Sequence, residues 1–249
     1  MPRTMLSDEH WSKLKPIMIK NGVYLKPDLK KTVEGILYKL RVGCPWRDLP
    51  HNFGRWNSIF KCFNRWSEKR VFETIFETLS SDSDWEWVFI DGSVVKAHQH
   101  ATGAQKGAET AIGKSIAGNS SKISLAVDSM GLPIKLVITE GQVHDSKVAP
   151  ELLSMVLGAE IVIADKGYDS EAIRKNIEEM GAAQVIPRKS NSNTGNKETD
   201  WDLYKLRHLV ENAFARLKHF RSVATRYDKL ARNYRSMVLV ACSYIWLPM

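Results

Sequence analysis

Cysteine is scarce in this sequence, and long hydrophobic runs are missing. The three cysteines, Cys44, Cys62 and Cys242, are odd in number and far apart, so they indicate neither a disulfide framework nor a zinc site built on thiolates. No stretch approaches the roughly 20 apolar residues of a membrane span, and residues 1–16 lack the apolar centre of a signal peptide. We therefore expect a cytoplasmic protein whose cysteines are reduced thiols in the core.

Positive charge dominates at both ends of the chain, and negative charge dominates in the middle. Residues 1–80 carry 15 Lys and Arg against 8 Asp and Glu, residues 81–200 carry 12 against 17, and residues 201–249 carry 9 against 3. The net charges are therefore +7, −5 and +6. Basic flanks around an acidic centre fit a polyanion that the flanks hold and present to carboxylates. The alternative is a protein that is simply basic overall.

Residues 1–80 have the pattern of amphipathic helices. Ser7 and an acidic first turn begin one helix, while Pro27 and Gly43 bound a second. A loop with proline and glycine follows, and helical spacing resumes from Trp56 onward. We expect a small all-α domain of the helix-turn-helix type that binds DNA. The alternative for this region is a helical dimerisation or packing domain.

From residue 85 onward, short apolar runs with β-branched residues predict an α/β sheet with helical faces. The predicted strands are residues 85–91, 94–98, 122–128, 131–141, 159–165 and 182–187. Two helices are predicted between the later strands, with caps at Ser146 and Ser170 and ends at Gly158 and Gly181. The remaining segments, residues 101–121 and 189–200, are predicted to be a loop and a polar linker.

Three acidic residues stand where such a sheet could bring them together. Asp91 and Asp165 each end a predicted strand, and Glu211 follows on a late helix predicted over residues 204–221. Ligands bind beyond the carboxyl ends of strands in open α/β sheets, so we expect these carboxylates to meet at one edge. Their oxygens suit Mg²⁺ or Mn²⁺. Taken singly, Asp91 and Asp165 could also be ordinary turn residues.

Glu211 is an acid on a strongly basic helix. At about 100° per residue, four side chains fall within an arc of roughly 60° beside an apolar stripe: Tyr204, Arg207, Glu211 and Lys218. A carboxylate there can bind a metal ion while its basic neighbours hold the DNA phosphate that the metal activates. The alternative is a surface ion pair between Glu211 and Arg207, worth roughly 0.2 to 0.5 kcal/mol.

Histidine and tryptophan residues supply weaker candidates. His98 and His100 could bind a metal ion, but without further ligands nearby we prefer DNA contact or packing for them. His144-Asp145 opens a predicted helix, and we interpret it as a cap rather than a catalytic dyad. Trp46 and Trp201 lie outside the helical stripes and could stack on a base.

These residues resemble the bacterial insertion-sequence transposases of the DDE superfamily, most of all the insertion-sequence-five family. The spacing Tyr204-x2-Arg207-x3-Glu211-x6-Lys218 reproduces the Tyr-Arg-Glu-Lys signature of that superfamily, and "FIDGSVVKAH" and "IADKGYDS" are similar to its two aspartate segments. The similarity runs almost end to end and includes "GQVHDS" and "PRKSN". The sequence departs from the family pattern in one segment. It has Ile116 and the run Asn119-Ser120-Ser121 where relatives tend to carry an Arg and a Leu-Thr-Thr run.

The resemblance implies a fold, a site and an activity. The implied fold is a ribonuclease H-like catalytic domain over residues 85–249, without a large insertion, preceded by the helical domain of residues 1–80. The implied catalytic residues are Asp91, Asp165 and Glu211, which bind two divalent ions, Mg²⁺ or Mn²⁺; we expect Tyr204, Arg207 and Lys218 to contact DNA.

The implied activity is that of a DNA transposase, located at the bacterial nucleoid when bound to DNA. Such an enzyme binds the terminal inverted repeats of its insertion sequence, cleaves the DNA at the ends by hydrolysis, and joins the 3′ ends to target DNA. A homodimer is expected in the synaptic complex. The alternatives are a DNA-binding regulator derived from a transposase and a ribonuclease H-like nuclease without strand transfer.

Overall fold

The computed structural model describes residues 2–105, 107–116, 118–190, 192 and 195–249. Its contacts divide the chain into two compact units. The helical unit consists of Met1–Ser81, Lys96–Thr110 and Leu217–Met249, and the sheet unit consists of Asp82–Val95 and Ala111–Arg216. Parts of the predicted loop and linker lie outside the described residues, namely Lys106, Ala117, Asn191, Asn193 and Thr194.

The helices and strands have the following bounds. The helices are α1 (Asp8–Lys20), α2 (Leu29–Val42), α3 (Trp56–Glu68), α4 (Val71–Leu79), α5 (Asp145–Ser154), α6 (Glu171–Glu179), α7 (Trp201–Lys205), α8 (His208–Lys218), α9 (Arg221–Ala224) and α10 (Ala231–Trp246). The strands are β1 (Trp87–Lys96), β2 (Gly113–Ser115), β3 (Gly118–Val127), β4 (Pro133–Glu140), β5 (Ile161–Ala164) and β6 (Ala183–Val185). No helix among the described residues combines the length and hydrophobicity that a membrane crossing requires.

The first helix begins, and the second helix ends, where the sequence predicts. The Ser7 hydroxyl accepts a hydrogen bond from His10 N (3.0 Å), which satisfies one of the free N–H groups at the start of α1. α2 ends at Gly43, whose φ of 73° is the left-handed conformation that a residue without a Cβ adopts most easily. Local capping chemistry therefore sets these boundaries.

A short helix-to-helix turn lies between α3 and α4 and not between α2 and α3. Residues 43–55, which contain two 3-10 turns, separate α2 from α3, and this connection is longer than the turn of a helix-turn-helix motif. Lys69 and Arg70 join α3 directly to α4, and Arg70 adopts a φ of 58°. The predicted all-α region is present, with this difference in its connections.

The last helix completes the core of the helical unit. α10 packs against α2, α3 and α4. Its fully buried side chains are Tyr234, Met237, Val238, Ala241 and Cys242. A helix that is apolar on most of its faces needs partners on several sides. For this reason residues 217–249 group with the first 81 residues, whereas the sequence-based division at residues 80 and 85 places them with the sheet.

The sheet unit has the strand order β4-β3-β1-β5-β6, with β2 paired to the beginning of β3. β3 and β4 are antiparallel, whereas β1, β5 and β6 run parallel. The antiparallel strands β3 and β4 thus lie on one side of β1, and the parallel strands β5 and β6 lie on the other. This order and these directions are those of a ribonuclease H-like core, as expected.

Three details of the sheet unit differ from the prediction. β1 is one continuous strand through Gly92 and Ser93, where the apolar pattern of the sequence lapses, and it lies between β3 and β5 in the sheet. β2 and the first residues of β3 occupy part of the predicted loop of residues 101–121. The cap of α5 is His144, whose Nδ1 accepts from the backbone N–H of Ser146 (3.2 Å), so the prediction of Ser146 as the cap was wrong.

Candidate active site

The register of two parallel strands places Asp91 beside Asp165. Ile90 of β1 pairs with Ala164 of β5, so the next residue on each chain is an aspartate. β5 ends at Ala164, and Asp165 then caps a 3-10 turn by accepting a hydrogen bond from Gly167 N at its Oδ1 (2.7 Å). Asp91 lies within β1 and not at its end, which corrects the prediction. The two carboxylates nevertheless share one edge of the β1–β5 pair, as predicted.

Arg207 connects Glu211 to Asp91. Its Nη1 donates to Asp91 Oδ2 at 2.8 Å, and its Nη2 donates to Glu211 Oε1. The Asp91 side chain is 20% exposed and the Glu211 side chain 55%. Burial raises the pKa of the Asp91 carboxyl, although the hydrogen bond from Gly92 N–H and the charge of Arg207 both act in the opposite direction. The Arg207 guanidinium therefore offsets the partly buried negative charge of Asp91 and also hydrogen-bonds to Glu211 on α8.

The predicted single helix over residues 204–221 is interrupted. α7 ends at Lys205, and α8 begins at His208. Between them the backbone tightens to three-residue hydrogen bonds, from Arg207 N to Tyr204 O (3.0 Å) and from Val210 N to Arg207 O (3.2 Å). The helical arc calculated for one continuous helix was therefore wrong for the residues before α8.

Tyr204 and Lys218, the other two residues of the signature, lie in different units. Tyr204 lies in α7 and makes an edge contact with the ring of Trp201 (5.6 Å between centroids). Lys218 is the exposed last residue of α8 and belongs to the helical unit. Their contacts with DNA stay predictions.

Two further side chains complete the surroundings of the aspartates: Tyr168, which the sequence did not single out, and Asp145, which the sequence analysis weighed only as part of a helix cap. Tyr168, in the turn after Asp165, is 1% exposed, and its hydroxyl has no hydrogen-bond partner among the described residues. Asp145 accepts a hydrogen bond from Lys122 Nζ at 2.9 Å and abuts the backbone of Gly92. The available signal was that Tyr168 and Asp145 lie in "IADKGYDS" and "GQVHDS", two of the segments that carry the resemblance.

The donor chemistry of this region fits a divalent cation, although the three acids are not arranged as a ready metal site. No group of three His, Cys, Asp or Glu residues in the described part of the chain is positioned to hold a metal ion. Arg207 engages two of the acids, Asp91 and Glu211. Asp165 has no ion pair among the described residues, and the unpartnered Tyr168 hydroxyl lies in the adjoining turn. Carboxylate oxygens with an open position are suitable ligands for Mg²⁺ or Mn²⁺.

The remaining candidates pack within their own units. The His98 ring stacks on Tyr227 (4.5 Å between centroids, 23°), and its Nδ1 accepts from His100 N (3.2 Å). The Trp46 ring lies 5.1 Å from the Phe63 ring between centroids and is partly exposed, so its stacking on a base stays a prediction. Trp201 is 48% exposed.

The strand order and the paired aspartates define a ribonuclease H-like core of the kind that carries DDE carboxylates. The chain belongs to the family described as the transposase DDE domain, whose model matches residues 86–246. A second family model, described as a transposase of the IS4/5 family (DUF4096), matches residues 6–76.

Two curated relatives are named as transposases of insertion sequence elements. The protein assigned as the transposase of insertion sequence element IS6501 in Brucella ovis is 36% identical over 130 residues, which is 97% of that protein and 51% of this chain. The transposase for insertion sequence element IS1106 of Neisseria meningitidis serogroup B is 35% identical over 110 residues, or 38% of that protein and 42% of this chain.

Likeness to solved structures is weaker. A piggyBac transposase, solved as a synaptic complex with hairpin DNA, has a TM-score of 0.42 at 12% identity, and the match covers 76% of this chain and 50% of that one. A pre-cleavage Mos1 transpososome has a TM-score of 0.30 at 10% identity, over 90% of this chain and 80% of that one. The strand order defines the fold independently of these two structures.

Proposed function

We propose that this protein is a metal-dependent transposase that binds the terminal inverted repeats of its insertion sequence, cleaves the DNA at the ends, and joins the 3′ ends to target DNA. The observation that carries this proposal is the β1–β5 register, which puts Asp91 beside Asp165. Arg207 adds Glu211 to the same cluster. Membership of the DDE transposase family supports the assignment of these three acids as the catalytic set.

Asp91, Asp165 and Glu211 would hold the divalent ions, Mg²⁺ or Mn²⁺. When bound, two such ions lower the pKa of the attacking water or hydroxyl and stabilise the leaving oxygen. Glu211 is the most exposed of the three acids, since its side chain is 55% exposed on α8 and pairs with Arg207. Asp91 and Asp165 are fixed by the sheet and by the turn that follows it.

Arg207 has a second role in this proposal. Its guanidinium is planar and can bind two phosphate oxygens as readily as two carboxylate oxygens. With Asp91 and Glu211 acting as metal ligands, the Arg207 guanidinium would be free to contact the scissile phosphate, whose negative charge increases during attack. Tyr204 and Lys218 are proposed as further DNA contacts, on the basis of the signature spacing alone.

The helical unit is proposed to hold the DNA. Residues 1–80 carry a net charge of +7. On α3, Lys61 and Arg65 are exposed and lie one turn apart, while Ile59, Phe63 and Trp66 are buried on the opposite face. A helix with a basic outer face of this kind suits the phosphate backbone. A homodimer in the synaptic complex is part of the proposal.

The test incubates the full chain with Mg²⁺ and labelled DNA that carries one end of the element. Short inverted repeats in the DNA that flanks the coding region define that end. Cleavage with joining of the 3′ ends to target DNA is the expected result. Binding without cleavage would indicate a DNA-binding regulator, and cleavage without joining would indicate a nuclease. Asp202→Asn, which changes an exposed acid on α7, is the control for variants of the catalytic acids.

A further inference from the structure

Tyr168 presents a buried hydroxyl that the protein itself leaves without a partner. The side chain is 1% exposed, and the hydroxyl makes no hydrogen bond to any described residue. Burial raises the pKa of Tyr168 strongly, and the negative charges of Asp145, Asp91 and Asp165 raise it further. The hydroxyl is therefore a neutral donor placed among three carboxylates. Native proteins rarely keep such a group unless a bound water, ion or ligand satisfies it.

Asp145 is held in the same place by independent contacts. It is the first residue of α5, and the Lys122 ammonium on β3 donates to its Oδ1 (2.9 Å) and to Val143 O (2.6 Å). A Cβ atom at position 92 would clash with Asp145 Oδ1, so glycine there allows Asp145 to approach β1 directly next to Asp91. α5 also packs against the turn that contains Tyr168.

We propose that Asp145 and Tyr168 together bind a water molecule that hydrates the divalent cation held by Asp91 and Asp165. The hydroxyl donates to the water, and the water donates to the Asp145 carboxylate. This inference rests on the proposed function, because it requires a cation at the aspartates. Mg²⁺ keeps several of its waters in protein sites, and residues that hydrogen-bond to the ligands of a metal commonly contribute 10- to 100-fold to its affinity. Asp145 and Tyr168 are positioning residues, since they act through the water.

The geometry separates this role from a purely structural one. The Tyr168 hydroxyl makes no hydrogen bond to Asp145 or to any other described residue, so it is available to donate to a bound water. Tyr168→Phe removes only the unpartnered oxygen and keeps the buried ring. Asp145→Asn keeps an oxygen that can accept from Lys122 and removes the charge. Tyr234→Phe is the matched control, because the buried Tyr234 hydroxyl in the helical unit donates to Val223 O (2.9 Å).

The experiment measures Mn²⁺ affinity by isothermal titration calorimetry and the thermal midpoint, both on the full chain without DNA. Tyr168→Phe and Asp145→Asn should each weaken Mn²⁺ binding 10- to 100-fold. Tyr168→Phe should not lower the thermal midpoint, because no hydrogen bond within the protein is lost. Tyr234→Phe should lower the midpoint and leave Mn²⁺ affinity unchanged. The variant that carries both substitutions should bind Mn²⁺ with the affinity of whichever single variant binds it more weakly, because both residues act on one water.

Two results would overturn the inference while leaving the proposed function intact. One is a Tyr168→Phe variant whose Mn²⁺ affinity lies within twofold of the wild-type affinity. The other is a double variant whose loss is the product of the two single losses, which would show that the residues act independently. A wild-type chain that binds no Mn²⁺, with or without element DNA, would instead overturn the proposed metal site and this inference with it.

Discussion

Arg207 Nη1 lies 2.8 Å from Asp91 Oδ2, and the other terminal nitrogen of the same guanidinium donates to Glu211. The Arg207 guanidinium thus pairs with two of the three acids that we propose as metal ligands. It reduces the repulsion between them, and it competes with any divalent ion for the same oxygens. A surface ion pair would connect Arg207 to Glu211 alone, whereas the contact with Asp91 crosses from the α7–α8 turn to the sheet.

Replacing Arg207 should slow chemistry without abolishing metal binding. We expect Arg207→Gln to reduce the rate of cleavage by about 10², as the loss of one electrostatic contact to the reacting group commonly does. Mn²⁺ affinity should be retained or increased, because a competing cation is removed. Arg207→Lys should give an intermediate rate, since it keeps the charge but loses the bidentate fork. Single-turnover cleavage of a pre-bound element end at saturating Mg²⁺ measures these rates.

Lys205→Gln is the matched control for Arg207→Gln. Lys205→Gln removes one positive charge from the same segment as Arg207→Gln does, but the ion-pair partner of Lys205 is the exposed Asp202 (2.7 Å). We expect its cleavage rate to equal that of the wild type. If Arg207→Gln also cleaves at the wild-type rate, Arg207 does not meet the DNA.

The three acids should be required for cleavage and dispensable for binding. Asp91→Asn, Asp165→Asn and Glu211→Gln are each expected to reduce cleavage to background, because each removes one charged ligand of the metal site. Affinity for the element end should stay within severalfold of wild type in a gel-shift assay. If one of these variants retained near-normal turnover in Mg²⁺, the substituted residue would not belong to the catalytic set. The control variant Asp202→Asn should cleave at the wild-type rate.

Sequence reasoning succeeded where chemistry is local to a strand or a helix end. The apolar runs before Asp91 and Asp165 were enough to place the two acids at one edge of the sheet, although β1 continues past Asp91, and Gly43 was enough to end α2. It failed where distant segments decide the outcome. The interruption at Arg207 occurs where the side chain turns toward Asp91 of the sheet, and the Lys122–Asp145 pair joins β3 to α5. No spacing rule encodes either contact.

Asp169 should stabilise the protein in a pH-dependent manner. Burial acts to raise the pKa of its carboxyl, but hydrogen bonds from Arg174 (2.7 Å) and from the backbone N–H of Lys189 (2.7 Å) outweigh it, so the pKa lies below its usual value. A depressed folded-state pKa contributes stability that is fully present above the unfolded value of about 3.9 and is lost as the pH falls through the folded-state value.

Asp169→Asn should therefore lower the free energy of unfolding by about 3 kcal/mol at neutral pH, because it leaves the buried Arg174 without its charged partner. Urea-induced unfolding should show a constant difference from wild type between about pH 7 and pH 5, which narrows below about pH 4. A difference that persists unchanged to the lowest pH would show that the charge of Asp169 is not what stabilises the fold.

The outer face of α3 should account for part of the affinity for DNA. Lys61→Gln and Arg65→Gln are each expected to weaken binding and to reduce the log–log slope of affinity against salt by about 0.9, the contribution of one phosphate contact. Fluorescence anisotropy at several salt concentrations gives the slope. Lys175→Gln, an exposed lysine on α6, is the charge-matched control and should leave the slope unchanged. An affinity that does not vary with salt would contradict the proposal for α3.

The helical unit is assembled from three separate stretches of the chain, and the last of them, residues 217–249, supplies the helix at its centre. Translation proceeds from the amino terminus, so α10 leaves the ribosome only after every strand of the sheet unit has been synthesised. Until then α2, α3 and α4 have no α10 to cover their apolar faces. A chain cut short within residues 217–249 would keep its carboxylates yet expose those faces, and it is expected to aggregate or be degraded before it can act on DNA.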